Sequence, residues 1–306
     1  MSGKSERFSY LVIFIVGGMF GLQGIFVKEM SAAGSVPSWT VTVRMTVAFL
    51  VMLLVVVLME GPKALKVSRK TLISCVVFGI VCQAMNNACY AASITYGGMA
   101  VAASLLYVGP VISMVCAVVL FKEKMTGPKV AALLMNVIGC ILAVTGGNFT
   151  ELNLDIRGVL FGLGSGVCFG LLPIVGKFAS ASDEDSPLAV TMYSFLFASL
   201  ALIVSLRAWN NLENPFAPRI IIQGCLLAVV CTVITYILYF NAIKNITEAS
   251  KIPIIQSNEV VVSVVIGLLL YREPVNAATL IGFLLVFASI VLMNIKSKAQ
   301  AEATEK

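Results

Sequence analysis

The chain alternates long apolar runs with short polar breaks. Ten runs of about 20 residues stand out, at 8–28, 37–59, 72–94, 98–121, 128–146, 157–179, 187–207, 219–242, 251–271 and 276–295. A run of that length spans the hydrocarbon of a bilayer as a helix. Lipid offers no partner to an open backbone N–H or C=O, so a helix is the form such a run must take. The breaks carry Pro, Gly, Asn and charge, as in Glu60-Gly61-Pro62-Lys63, Gly127-Pro128 and Asn214-Pro215. None is long enough for a soluble domain. The first run follows Lys4 and Arg7, and Ser31-Ala32-Ala33 is like a cleavage site. The run is longer than a signal h-region, so it is expected to remain as the first helix.

Polar residues inside the runs mark faces. Glu259 stands near the middle of the ninth run, with Asn258 beside it. An acid at the centre of a spanning helix costs on the order of 3 kcal/mol on insertion scales. Such residues face a wet cavity or a partner. Helical spacing adds Gln256 on the same run. It also groups Gln83, Asn86, Asn87 and Tyr90 on the third run, and Thr232, Thr235, Tyr236 and Tyr239 on the eighth. Ser104, Tyr107 and Gln23 join from the fourth and first. The expected substrate-lining set is Glu259, Gln256, Asn86, Asn87, Tyr90, Tyr107, Tyr236, Tyr239 and Gln23. The structural alternative for Thr232 and Ser263 is helix joining by hydrogen bonds. For Glu259 it is an ion pair with Lys251 or Arg44. Asp183-Glu184-Asp185 reads as a solvated loop, and Glu123 and Glu273 as interfacial anchors or caps.

Composition narrows the class further. Hydrophobic residues make up 59% of the chain and charged ones 12%, with a mean hydropathy of +0.99, which excludes an ordinary soluble domain. The net charge of +6 does not point to nucleic acid, because the basic residues lie between apolar runs. Fifteen of the 21 Lys and Arg fall on the N-terminal side of the membrane and five on the other, with Arg44 inside the second run. That bias predicts cytoplasmic termini. Eight cysteines show no metal-ligand spacing, and Cys75, Cys82 and Cys89, seven apart on one helix, read as packing residues. No metal or cofactor is expected. The chain has no histidine, which rules out H-E-x-x-H and Ser–His chemistry, and its aspartates fall in loops. The chain is not expected to be an enzyme.

The chain also repeats itself. A slide of 150 residues lays Val111, Ser113, Val115, Leu120 and Glu123 over Val261, Ser263, Val265, Leu270 and Glu273. A slide of 149 lays Lys28 over Lys177. The expected units are 1–150 and 151–296, with a tail at 297–306. Each repeat holds five spans, an odd number, so the second enters the membrane inverted. The expected fold is all-α, with ten transmembrane helices in two inverted five-helix repeats, and a site at the midplane between them.

With these residues in view, the chain resembles the drug/metabolite transporter superfamily, EamA type. The resemblance rests on Ala103-Ser104-Leu105-Leu106-Tyr107-Val108-Gly109-Pro110, Leu120-Phe121-Lys122-Glu123, Gly139 and the repeated Leu270-Tyr271-Arg272-Glu273. Lys28 and Arg44 also stand where such proteins often carry a Lys and an Arg. Val260 replaces the second proline of the pattern, with Glu259 before it. The resemblance implies ten helices around a central cavity and movement of small metabolites, often outward.

The favoured function is therefore secondary active transport by alternating access, as an exporter of amino acids or related metabolites. Asn86, Asn87 and Gln256 suit an amino-acid head group, and the tyrosines suit an apolar or aromatic portion. Glu259 is the candidate proton-coupling group: desolvation favours the neutral form of a carboxyl, and no histidine is present for that task. The alternatives are a cationic drug or metabolite efflux carrier, held by Glu259 and tyrosine faces, and a passive channel or facilitator. The expected setting is a cell (inner or plasma) membrane, with the bilayer and a small-molecule substrate as partners. Reporter fusions at residues 150 and 210 should report outside, and fusions at 66, 182 and 300 inside; a terminus mapping to the outside would end this topology.

Overall fold

The computed structural model describes residues 3–148, 155–179, 185–206, 214–272 and 276–294, and all its regular structure is helical. Among the described residues, nine helices are long and apolar enough to cross a membrane: α1 (Glu6–Ala32), α2 (Pro37–Met59), α3 (Arg69–Gly97), α4 (Val101–Phe121), α5 (Gly127–Thr145), α6 (Ile156–Phe178), α7 (Pro187–Ser205), α8 (Pro218–Ile243) and α9 (Ala249–Tyr271). A shorter apolar helix, α10 (Ala277–Met293), completes the set. The chain is a multi-pass integral membrane protein. The expected tail, 297–306, lies outside the described residues, as do Glu273 and the Asp183-Glu184 part of the acidic loop.

Local geometry follows the repeat. α3 widens into a π-helical stretch at Phe78–Met85, and α8 does so at Val229–Ile234. α4 is interrupted at Tyr107, where one helical segment ends before the next begins at Gly109. α9 is interrupted 150 residues later at Ser257. Lys122 and Arg272, also 150 apart, are the two non-glycine residues with positive φ among those described, at 54° and 52°. Each closes its helix with a left-handed cap. The Lys28 ammonium lies 4.0 Å from the centre of the Tyr271 ring, and Lys177 lies 4.9 Å from that of Phe121. The same lysine–aromatic contact is thus made once by each repeat.

The repeats interlock rather than sit side by side. α1 packs on α8 and α9, and its counterpart α6 packs on α3 and α4. α2 meets α7, and α5 meets α10. Between helices in lipid there is little hydrophobic force, so small residues that permit close contact decide which faces meet. Gly139 and Gly282 let the α5 and α10 backbones touch. On α1, Gly17 and Gly21 receive α9 at Asn258 and Glu259: a Cβ on Gly21 would stand 2.7 Å from the Glu259 carbonyl oxygen and 2.7 Å from Val262 Cβ. Asn258 Nδ2 donates to the Phe14 carbonyl at 2.8 Å across the same seam.

The central packed cluster includes Phe78, Cys75, Cys82, Phe195, Tyr236, Tyr239 and Phe240, so two of the three heptad-spaced cysteines fill core space as expected. Asp185 departs from the solvated reading. Its carboxylate accepts from the Ser68 backbone N–H at 3.1 Å and from Thr71 Oγ1, tying down the start of α3. The sequence shows an acidic loop, but not that its last residue meets an open helix N-terminus more than 100 positions away.

Replacing Gly21 with Val should force α1 from α9 and destabilise the protein by about 1–3 kcal/mol, the usual range for overpacking. Gly24→Ala is the control, because its Cβ would meet only Ser263 Oγ, at 3.8 Å. Equal melting temperatures for the two variants in detergent would refute the close seam.

Candidate functional site

The interruption in α9 builds an acidic pole. Ser257 ends one helical segment, and Glu259 sits in the first turn of the next, Asn258–Tyr271. An acid in a first turn is favoured by the exposed N–H groups there. Tyr107, at the matching interruption in α4, donates its hydroxyl to Glu259 Oε1 at 3.3 Å. The two interrupted helices thus meet through a residue at or beside each break. Tyr90 on α3 and Tyr236 on α8 lie within electrostatic reach of the same carboxylate. No described cation lies within ion-pairing distance of Glu259. Neither alternative ion pair forms: Lys251 pairs with Glu248 at 2.6 Å, and Arg44 is held elsewhere.

Arg44 builds the opposite pole. It projects from α2 between α1 and α3, where Nη1 donates to Gln23 Oε1 and Nη2 donates to Asn87 Oδ1 at 2.8 Å. Asn87 Nδ2 in turn donates to the Gln83 carbonyl at 2.7 Å, inside the π-helical stretch of α3. Arg44 Nε and Gln83 Nε2 are buried without a hydrogen-bond partner among the described groups. Tyr236 packs in the central cluster against Phe20, Phe78 and Phe195, with ring centres 5.7, 6.4 and 5.3 Å away. Gln256 is buried on the short segment before the α9 interruption, with its Nε2 also unpartnered.

The nine expected lining residues therefore separate. Glu259 and Tyr107 meet at the acidic pole, with Tyr90 within electrostatic reach, Gln23 and Asn87 meet at the basic pole, and Tyr236 packs in the central cluster. Gln256 stands three residues before Glu259 on the other side of the helix interruption. Asn86 makes no hydrogen bond to either pole among the described residues. Tyr239 is fully buried against Tyr236 and Phe240, with ring centres 6.0 and 5.7 Å away, and belongs to the packed core. Thr232 and Thr235 bond back to the carbonyls of Leu227 and Val230 at 3.3 and 3.1 Å, serving the π-helical backbone. Arg44 and Gln83 are absent from the expected set. The signal for Arg44 was available: an arginine inside a span is itself a marker of function.

A second polar network closes the N-terminal face. Glu123, just past α4, accepts from the Ala249 N–H at 2.6 Å and from Ser250 Oγ, both at the start of α9. Lys129 on α5 reaches Glu248 at 2.7 Å and Glu123 at 3.5 Å. Lys177, at the end of α6, donates to the Thr247 carbonyl at 2.6 Å, and Glu6 accepts from the Thr247 N–H at 3.2 Å. Glu123 is an anchor, as its sequence position suggests. The opposite face has the exposed pair Arg219–Glu29, of a kind worth little. A separate apolar crevice of about 250 Å³ opens beside Asn258 between α1, α9 and α10, lined by Phe14, Val262 and Phe287 among others. Its lining is almost wholly hydrocarbon, unlike the two poles.

Comparison with known proteins agrees with this architecture. The EamA-like transporter family matches the chain twice, over residues 7–145 and 156–295. The uncharacterized transporter YyaM of Bacillus subtilis (strain 168) is 26% identical over 260 residues, covering 83% of each chain. The uncharacterized inner membrane transporter YicL of Salmonella typhimurium is 24% identical and covers 99% of both chains. One solved crystal structure superposes with a TM-score of 0.78 over 95% of this chain and 98% of its own. Its identity is 13%, so that likeness shows the fold alone.

The N-terminal network makes a pH prediction. Desolvation raises the pKa of Glu248, but hydrogen bonds and charge from Lys129 and Lys251 outweigh it and hold the carboxyl below its ordinary value. A depressed carboxyl stabilises the fold above its unfolded pKa and loses that contribution as pH falls through the folded one. Glu248→Gln should therefore melt below wild type at neutral pH, with the gap narrowing below about pH 4. A gap that does not change with pH would show that the charge of Glu248 is not what stabilises this face.

Proposed function

This chain belongs to the EamA-like transporter family, and from that premise we propose that it is a secondary carrier exporting amino acids or related small metabolites by alternating access. Glu259 carries the coupling proton, or pairs with a cationic group of the substrate in competition with a proton. The observation that carries this reading is the setting of Glu259: a carboxyl at a helix interruption inside the membrane, hydrogen-bonded to Tyr107 and facing no described cation. A carboxylate there is costly, so protonation or a substrate cation is the simplest way to compensate it.

The transport cycle follows from that cost. With the site open to one side, water lowers the penalty and Glu259 releases its proton. Closure raises the penalty again, so the site closes most readily when Glu259 holds a proton or a substrate cation. This links movement of the proton to movement of the substrate in opposite directions. The N-terminal network of Glu123, Lys129, Glu248 and Lys251 must open for substrate to enter from that face. A cationic efflux carrier is a second reading, favoured by Tyr90 and Tyr107 around the carboxylate. A passive channel would lack saturable counterflow.

Glu259→Gln keeps size and hydrogen bonding but cannot titrate. If Glu259 carries the proton, the variant in proteoliposomes should lose transport driven by a pH gradient while retaining substrate exchange. If Glu259 only pairs with substrate, affinity should fall, and a neutral analogue should suffer less. A well-folded variant with wild-type binding, exchange and pH dependence would overturn both roles.

A further inference from the structure

A buried polar network holds the α9 interruption from behind. Its hub is the amide of Asn136, fully buried midway along α5. Nδ2 donates to Ser257 Oγ on α9 and, at 3.2 Å, to Ser289 Oγ on α10. Each hydroxyl then donates within its own helix: Ser257 to the Ile254 carbonyl at 2.6 Å, and Ser289 to the Val286 carbonyl at 2.7 Å. The Cys140 thiol, one turn along α5, faces Asn136 Oδ1 at 4.0 Å. An asparagine amide has two N–H donors, and both are used. The hydrogen bonds run one way, from Asn136 through each serine to a backbone carbonyl. A buried network with its members paired in this way is rigid and specifies one geometry.

Three successive residues of α9 meet three different helices. Ser257 is tied to α5, Asn258 donates to the Phe14 carbonyl of α1 at 2.8 Å, and Glu259 accepts from Tyr107 of α4 at 3.3 Å. Successive side chains on a helix point about 100° apart. Holding Ser257 and Asn258 therefore sets the direction of Glu259. The partner of Glu259 is steadied from α5 as well, since Tyr107 packs in one cluster with Cys140 and Val260. The network belongs to the repeat that carries the acid. A slide of 150 residues takes Asn136 to Val286 and Ser289 to Gly139. The position matching Asn136 for the α4 interruption is thus a valine, whose side chain has no hydrogen bond to offer.

We propose that Asn136 is a positioning residue for Glu259: by holding Ser257 at the helix interruption, it aims the Glu259 carboxyl at Tyr107. Asn136 bonds Ser257 and not the carboxyl itself. Its part in transport rests on the reading of Glu259 as the coupling group. The hold on a group carried by the second repeat is then supplied by the first, from α5. Ser289 bonds the same amide from α10 and has no part in the aim.

The test uses the full chain in lipid nanodiscs. The readout is the infrared carboxyl band of Glu259 at low pH, identified as the band that Glu259→Gln removes. Tyr107→Phe gives the reference shift, because it deletes the phenol hydrogen bond directly and should move the band to higher frequency. Asn136→Leu, similar in shape but unable to hydrogen-bond, should move it in the same direction. Ser257→Ala should do likewise with Asn136 in place, which keeps the question answerable if Asn136→Leu fails to fold. Ser289→Ala removes a buried hydrogen bond from the same network, so it should lower the melting temperature and leave the band where it was. A wild-type band in Asn136→Leu, in Ser257→Ala or in Tyr107→Phe overturns the proposal, as does an equal shift in Ser289→Ala. Transport driven by a pH gradient is scored separately. If Asn136→Leu moves the band while Glu259→Gln leaves that transport intact, the positioning role stands and the coupling reading falls. If Glu259→Gln abolishes it while Asn136→Leu leaves the band in place, the coupling reading stands and the positioning role falls.

Discussion

Hydrocarbon supplies neither hydrogen bonds nor counter-charge, and this one constraint organises the molecule. It makes each spanning segment a helix, because only there does every backbone group find a partner within the segment. Where the helices do depart from regularity, the polar side chains at the departures are buried. Tyr107 and Ser257 at the two interruptions and Gln83 in the π-helical part of α3 are all shielded from the lipid side. In the π-helical part of α8, Thr232 and Thr235 bond carbonyls five residues back, so the wider turns add no free backbone acceptors at those positions. Irregular backbone and polar side chains collect in the same interior because nowhere else in a membrane can accommodate them.

Close helix contact does the rest. Since lipid tails are as apolar as leucine, helices gain little by merely touching, and shape decides the partners. Glycines on α1 and on the α5–α10 pair allow backbone contact that larger residues would block. The contacts cross between repeats, α1 onto α8 and α9 and α6 onto α3 and α4, so each half completes the other. α1 therefore holds both poles of the site: Gln23 through Arg44 and the Glu259 segment through Gly17 and Gly21.

The repeat is closely kept in backbone and abandoned in chemistry. The left-handed caps at Lys122 and Arg272 and the lysine–aromatic contacts at both ends reproduce each other. The charged network at the N-terminal face does not: Thr279 stands where Lys129 stands in the first repeat, and Gly98 where Glu248 stands in the second. At the centre, Gly109 and Pro110 correspond to Glu259 and Val260. The two repeats share a backbone, while the residues at the faces and at the centre differ between them.

Much of this was legible in the sequence. Run length and lipid physics set the ten spans, the 150-residue slide exposed the repeat, and the cost of a buried acid singled out Glu259. Each is a property of position along the chain, so the chain alone determines it. Which polar faces meet is a different quantity. Asn86 and Asn87 are adjacent and alike, yet only Asn87 reaches Arg44; Tyr236 and Tyr239 share a stripe with Thr232 and Thr235, yet the tyrosines pack in the core and the threonines bond their own backbone. Helical spacing gives the direction of a side chain to within a sector, whereas these outcomes turn on neighbours from distant segments. Arg44 was visible as a charge, but its freedom from any described carboxylate was not, because that depends on where α1 and α3 come to rest. The interlocking of the repeats, fixed by glycine contacts between helices more than 100 residues apart, decided that only in three dimensions.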